Sequence, residues 1–471
     1  MVSRLLRTKS IDRLVAETEV ENHKLRRTLT SWDLIAIGIG CIIGVGIFVL
    51  PGVQAAANAG PGIILSFAIA GVACACNALC YAELAAMIPV SGSAYAYGYA
   101  TLGEFFAWII GWDLILQYMV AAIMVSSGWS AYFVNLLKTS GINIPQVLAA
   151  SPWDKEPGLF NLPAATIVLI ITWLLVRGIK ESARANLAIV IIKIGVILLF
   201  IAAAVWHLDP RKWRPFMPFG FKGVLKASAV VFLAYVGFDA VSTAAEEAKK
   251  PQRDIPIGII GSLGIATVLY MAVSAIMTGV VPYLELGVAD PVAKVLNTLK
   301  MPWASAIISI GALAGITSVL LVLILSQPRI LFSMSRDRLL PPALSRIHKK
   351  YRTPYLSTLL TGGIVSVAAA LTPLEVSAEL CSMGALFAFI IVGTSVIVLR
   401  YLKPNIPRPF RVPLSPFIPA LSVLLCGYLI LALSLMTQIR FLVWLAIGIA
   451  IYFSYGYRKS SLSVEEKPDC R

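Results

Sequence analysis

The feature that most constrains this chain is the recurrence, from residue 32 to residue 457, of apolar stretches long enough to cross a membrane. A helix needs about 20 residues to span a hydrocarbon core of about 30 Å. Composition agrees. Of 471 residues, 58% are hydrophobic and only 13% are charged, where a soluble domain carries about 25% charged residues to solvate its surface. That excludes a soluble enzyme or nucleic-acid-binding protein of this size. The expected class is an all-α polytopic membrane protein.

About twelve segments are expected, at 32–50, 61–86, 102–134, 161–177, 184–206, 223–245, 256–281, 303–333, 354–371, 376–400, 416–436 and 438–457. The stretches 102–134 and 303–333 exceed ~20 residues and should tilt or protrude. An even number puts both termini on one face. Twenty-eight Lys and Arg side chains fall on that face, including those of residues 1–31 and the run from Arg329 to Arg352, against ten on the other. This bias predicts cytoplasmic termini, and it accounts for the net charge of +15 without nucleic acid. No secretory signal is expected in 1–31, which is polar and basic. Six of the seven cysteines, Cys41, Cys74, Cys76, Cys80, Cys381 and Cys426, lie in apolar segments and read as small packing residues. No metal or other cofactor is expected.

Two spans do not read as whole helices. The first carries Gly38, Gly40, Gly44 and Gly46 within nine residues, each costing roughly 1 kcal/mol in a helix relative to alanine. Close helix packing through small residues is one reading. The other is an unwound mid-membrane segment whose N–H and C=O groups are free for a ligand. The run fits neither a dinucleotide fingerprint nor a P-loop. The sixth span repeats the oddity at Tyr235-Val236-Gly237-Phe238-Asp239. Paired interruptions in spans one and six, at corresponding places of two five-helix halves, are the sequence pointer to a transporter site at a repeat interface.

GIGCIIGVGIFVLPG in the first span, the S-G-S-A-Y-A-Y block at 91–97, GWDLILQY at 111–118 and FDAVSTAAEEAKKPQRDIPIGI at 238–259 resemble the amino acid–polyamine–organocation superfamily. Within it, the chain is most similar to bacterial members of the cationic amino acid transporter family, over about residues 25–457. The resemblance implies a five-plus-five inverted repeat, with 32–206 as the first half, 223–400 as the second and 416–457 as two extra helices, between a cytoplasmic segment 1–31 and a tail 458–471. It also implies proton-linked amino acid transport by alternating access, without enzymatic activity. The substrate carboxylate would rest on backbone around Gly44, Val45 and Gly46, and the ammonium on carbonyls near Ile42, Leu233, Ala234 and Val236. Val45 stands where relatives carry a hydroxyl residue. Phe238, Gln117, Ala121 and Leu323 are the candidates around that cradle. Phe238 reads equally as core. Gln117 stands where some relatives have an acid. Mostly apolar walls then favour neutral or hydrophobic amino acids over arginine or lysine.

Lys193 is the sharpest single residue. An ammonium at mid-membrane costs about 2.5–3.5 kcal/mol on insertion scales and is functional by default. Burial disfavours its charged form, which makes Lys193 the candidate proton carrier; the other reading is a structural ammonium that donates to backbone carbonyls without titrating. By resemblance, it would replace the cation that bridges spans one and eight in sodium-coupled relatives. Glu83, Asp113 and Asp239 are expected to be paired or gate-lining, and Glu246 and Glu247 to form local ion pairs at a helix end. His23, His207 and His348 fall in tails or loops and support no histidine relay. The alternatives are a cationic amino acid or polyamine exchanger, and a membrane sensor that binds without transport. The expected partners are an amino acid, protons and the lipid bilayer of the cell membrane. A small membrane subunit would leave no readable signal in this sequence.

Overall fold

The computed structural model describes residues 7–10, 14, 27–90, 92–139, 141–153, 157–177, 179–288, 291–348, 351, 353–372 and 374–460. Among them the chain is helical, apart from loops and one isolated bridge between Leu29 and Ala248. Eight helices are long and apolar enough to cross a membrane, and the shorter apolar helices Ser31–Ile42, Leu162–Arg177, Tyr355–Leu371 and Phe417–Leu431 complete the twelve expected segments. Span one is Ser31–Ile42 followed by Val45–Phe48 and Leu50–Gln54; spans two to five are Ile63–Met87, Glu104–Thr139, Leu162–Arg177 and Ile179–Ala204. Span six is Gly220–Val231, Phe232–Tyr235 and Ala240–Thr243; spans seven and eight are Pro251–Val280 and Pro302–Arg336. Tyr355–Leu371, Leu374–Leu402, Phe417–Ala432 and Leu435–Ile451 are spans nine to twelve. Span three reaches 36 residues, about 54 Å at 1.5 Å per residue, so it protrudes well beyond the hydrocarbon core.

Both expected interruptions are present, and each has a local cause. Span one starts on a capping box in which Thr30 N–H donates to the Asp33 carboxylate at 2.8 Å, satisfying an N-terminal donor that the helix leaves free. It stops where Ile43 turns extended (φ −81°, ψ 104°). In span six, Val236 is extended and Gly237 has φ +127°, a conformation that favours glycine. A Cβ on Gly237 would also lie 2.7 Å from Cys41 Sγ, so the two breaks meet in contact. The two readings of the glycine cluster divide between its members. Gly38 serves close packing, since a Cβ there would lie 2.3 Å from Ser262 Oγ of span seven, whereas Gly44 lies at the break itself.

The first half of span one and the second half of span six run through the interior: every residue from Leu34 to Ile42, and from Gly237 to Ala248, is buried. Spans three and eight flank them, and span twelve lies outermost. In the most apolar 18-residue window of span eight, 72% of the residues are buried, against 22% in that of span twelve. Span seven packs on spans one and two, and span ten on spans three and eleven.

Ion pairs lock the face that carries the basic loops. Glu247 pairs with Arg329 of span eight at 2.5 Å, and Glu246 with Arg336 at 3.3 Å. Their partners therefore come from a distant span, not from the adjacent Lys249 and Lys250. Burial pushes the Glu247 carboxyl up from its usual range, and Arg329 pulls it back. The N-terminal segment joins the same network: Lys9, 1% exposed, meets Asp337 at 2.5 Å, and Tyr95 OH donates to the same carboxylate at 2.6 Å. Glu83 anchors the connector between spans ten and eleven. It accepts from Arg400 Nε at 3.1 Å and from Val412 N–H at 2.6 Å.

Removing that anchor gives the first test. Glu83 is 1% exposed, and breaking a buried pair costs about 3–5 kcal/mol. Arg400 keeps 26% of its side chain exposed, so the low end is expected, about 3 kcal/mol. Glu83→Ala should lower the thermal midpoint of the detergent-solubilised chain well below that of the parent. An unchanged midpoint would show that the connector does not depend on it.

Candidate functional site

The breaks in spans one and six face each other across a cavity of about 60 Å³. Span one contributes Cys41, Ile42, Gly44 and Gly46, and span six contributes Leu233, Ala234 and Val236. Ala121, Met124 and Val125 of span three close one side; Val319 and Leu323 of span eight and Cys381 of span ten close the rest. No ionisable side chain other than these two cysteines lines it among the described residues. Eight of the residues singled out from sequence are thus brought together: Ile42, Gly44, Gly46, Ala121, Leu233, Ala234, Val236 and Leu323.

Three others are placed differently. The backbone of Val45 opens the second half-helix, and its side chain lies outside the described residues. Phe238 is fully buried, stacked on Phe389 at 5.2 Å and edge-on to Tyr81 at 5.7 Å, so it is core behind the cavity. Gln117 is buried one turn beyond Asp113 on span three and does not reach the lining. Asp239 accepts from Tyr118 OH at 3.0 Å, while neither carboxylate oxygen of Asp113 has a hydrogen-bond partner among the described residues.

Lys193 lies beside this cavity and is completely buried. Its ammonium donates to the Gly40 carbonyl at 3.0 Å, to the Ile43 carbonyl at 2.7 Å and to Ser318 Oγ at 2.7 Å. One cation from span five therefore ties the broken end of span one to span eight. Ser318 Oγ is itself 3.0 Å from the Gly40 and Gly315 carbonyls. A second group, Tyr270 of span seven, places its hydroxyl 2.8 Å from both the Ile42 and the Ala234 carbonyls. It touches the two breaks at once.

Sequence reasoning missed Tyr270 and Ser318, each one hydroxyl in a long apolar helix with no local signal. Met124, Val125 and Val319 were recoverable: they stand three or four residues from Ala121 and Leu323, on the same helix faces.

Residues 29–453 match the family model described as amino acid permease. The chain belongs to the amino acid permease family. The permease is 50% identical over 466 residues to the branched-chain amino acid permease BcaP of Bacillus subtilis, covering 98% of this chain and all of that protein. It is 46% identical over 462 residues to the methylthioribose transporter of the same organism, with 98% and 100% covered. A third relative, the vacuolar cationic amino acid transporter 2 of Arabidopsis thaliana, is 38% identical over 435 residues, 90% of this chain and 67% of that protein. The permease is a multi-pass membrane protein of amino acid transport.

Its two site glycines differ in what a side chain would meet. A Cβ on Gly44 would lie 2.7 Å from Val319 Cγ2, whereas one on Gly46 would lie 2.7 Å from Ala234 Cβ and 3.0 Å from Ala234 Cα. The first clash is with a side chain alone, whereas the second also reaches the backbone of the other broken span. Overpacking of this kind costs about 1–3 kcal/mol. Gly44→Ala should lower the thermal midpoint, and adding Val319→Ala should restore it. Gly46→Ala should lower it with no recovery from Val319→Ala. Equal rescue of both would show that the breaks are not packed as described.

Proposed function

We propose that this permease carries neutral aliphatic L-amino acids, the branched-chain ones foremost, by proton-coupled alternating access across the cell membrane, with both termini cytoplasmic. The observation that carries the reading is the cavity between the two breaks. Its side-chain walls are apolar, while its floor is unwound backbone. Free N–H groups around Gly44, Val45 and Gly46 suit a carboxylate, and the Ile42, Leu233, Ala234 and Val236 carbonyls suit an ammonium. Ala121, Met124, Val319 and Leu323 leave an aliphatic side chain in apolar surroundings and offer arginine or lysine no counter-charge. The 50% identity to a branched-chain amino acid permease supports the same substrate class. Five-plus-five halves at 32–206 and 223–400 would put the two breaks at corresponding places.

The 46% identity to a methylthioribose transporter favours a second reading, a neutral thio-sugar. Methylthioribose has neither ammonium nor carboxylate, so its neutral hydroxyls would meet the backbone groups of both breaks with weaker, uncharged hydrogen bonds. Uptake into proteoliposomes of labelled leucine, isoleucine, valine, alanine, arginine and methylthioribose separates the two. Leucine, isoleucine and valine should be taken up and arginine excluded. Methylthioribose uptake without leucine uptake would overturn the amino acid reading.

Leu323 sets the size of the side-chain pocket in this reading. One methylene in an apolar pocket is worth about 1–3 kcal/mol between competing substrates. Leu323→Ala should shift preference towards larger side chains and Leu323→Phe towards alanine, with expression little changed. An order of preference identical in both variants would place Leu323 outside the pocket.

Lys193 carries the coupling. Protonated, it holds span one against span eight through the three bonds of its ammonium. Deprotonated, it releases the charge from that junction and loosens it. The protonated form favours the substrate-competent arrangement, so uptake rises as external pH falls. Sodium has no place to act, because the ammonium occupies the bridge between the two spans. Lys193→Ala should abolish accumulation driven by an inward proton gradient while retaining weak leucine binding on the backbone cradle. Accumulation that follows an imposed sodium gradient, or a Lys193→Ala protein that still concentrates leucine on a proton gradient, would overturn the role.

A further inference from the structure

A second, larger recess lies away from the substrate cavity, on the outer face of span seven. It is a groove of about 620 Å³ between the start of that span and the connector joining spans ten and eleven. Arg253, Pro256, Ile257, Ile260 and Gly261 form one wall, and Pro409 with Phe410 the other. The first five recur at intervals of one, three and four residues, so they make a single helix face. That face runs from Arg253 to Gly261, about 12 Å of depth along the span. Ile257 and Ile260 are each 38% exposed, turned outward from the bundle.

The groove has two chemically distinct ends. Its inner part is apolar. Its mouth, on the basic-loop face, is lined by Gln252 and Arg253; Arg411 follows Phe410 in the chain, and Lys249 and Lys250 come just before the helix. Those four cations are exposed, and none has an ion-pair partner among the described residues. The nearby acids are engaged: Asp254 accepts the Lys250 N–H at 3.1 Å, and Glu246 and Glu247 pair with span eight.

We propose that this groove is a binding site for an anionic phospholipid, with the phosphate headgroup between Arg253 and Arg411 and an acyl chain along Ile257, Ile260 and Phe410. Charge complementarity selects the occupant. A neutral lipid or sterol would fill the apolar part but leave the cations unanswered, and an acidic peptide would leave the apolar wall uncovered. Basic pockets at the cytoplasmic membrane boundary recognise anionic headgroups in this way. The groove also bears on the transport machinery. Another side of the same helical turns packs against span one: a Cβ on Gly258 would lie 2.8 Å from Leu34 Cβ, and one on Gly261, at the edge of the groove face, 3.2 Å from Ile35 Cδ1. A bound lipid therefore buttresses the first half of span one from behind.

The test is titration of the delipidated full chain in detergent with phosphatidylglycerol, phosphatidylcholine or glycerophosphoglycerol, read as thermal midpoint and as lipid retained per protein. Phosphatidylglycerol should be retained and should raise the midpoint, and phosphatidylcholine should do neither at equal concentration. Arg253→Gln with Arg411→Gln should weaken retention by about fivefold per charge removed and leave the lipid-free midpoint unchanged. Ile260→Trp, which fills the apolar part, should abolish retention with both arginines present. Equal retention of the two phospholipids would overturn the proposal, and so would stabilisation by glycerophosphoglycerol alone. Preference for phosphatidylglycerol that survives the double arginine substitution would do the same. None of these outcomes depends on which solute the permease carries.

Discussion

The structure turns on one ammonium held against the open end of a helix. Where span one stops, its last carbonyls have no partner further along the chain, and in a bilayer each unsatisfied group costs several kcal/mol. Lys193 supplies three hydrogen bonds there, two of them to the Gly40 and Ile43 carbonyls. Bonds from a charged donor are each worth ~1.5–3 kcal/mol, so together they exceed the insertion penalty of about 2.5–3.5 kcal/mol for the lysine. The break and the buried charge stabilise each other. The break exposes the carbonyls that the ammonium needs, and the ammonium satisfies carbonyls that the break leaves open.

How much of this was legible depended on whether the signal was local. The spans were legible because apolar length is a property of consecutive residues. The breaks were legible because Gly44 and Gly237 interrupt apolar runs, and Lys193 because a charge in such a run is conspicuous. Local periodicity could have added Met124, Val125 and Val319. Contacts between distant spans left no such trace. Tyr270 looks like any tyrosine in an apolar helix until spans one and six are brought to its hydroxyl. Phe238 was balanced between pocket and core until Phe389, 151 positions along the sequence, was found stacked on it. For Glu246 and Glu247 the nearest cations in sequence were the wrong partners, because the chain turns into span seven and presents both carboxyls to span eight.

Span eight gathers these threads on one helix. Ser318 takes the Lys193 bond, Val319 and Leu323 wall the cavity, and Arg329, Arg336 and, just past the end, Asp337 receive Glu247, Glu246 and Lys9. From Ser318 to Asp337 is about 28 Å at 1.5 Å per residue. Pro328 lies between the cavity residues and the ion pairs, where it removes one backbone hydrogen bond from the ladder. The cavity half and the ion-paired half are thus joined by a helix with a single weakened turn.

Tyr270 supplies the last step. Its hydroxyl is 2.8 Å from the Ile42 carbonyl and 2.8 Å from the Ala234 carbonyl, yet a phenol has one proton. It can donate to only one of them at a time. One carbonyl, in one break or the other, is therefore always short of a donor from this hydroxyl. In the proposed function, the ammonium of an amino acid is the donor that makes up the shortfall, and it does so only when both breaks are close enough to share it with Tyr270. The deficit is small enough for the empty site to tolerate, and a charged donor fills it more strongly than a neutral hydroxyl would. It also spans the two broken helices, so satisfying it draws span one towards span six. Substrate recognition and closure of the cavity then follow from the same missing proton.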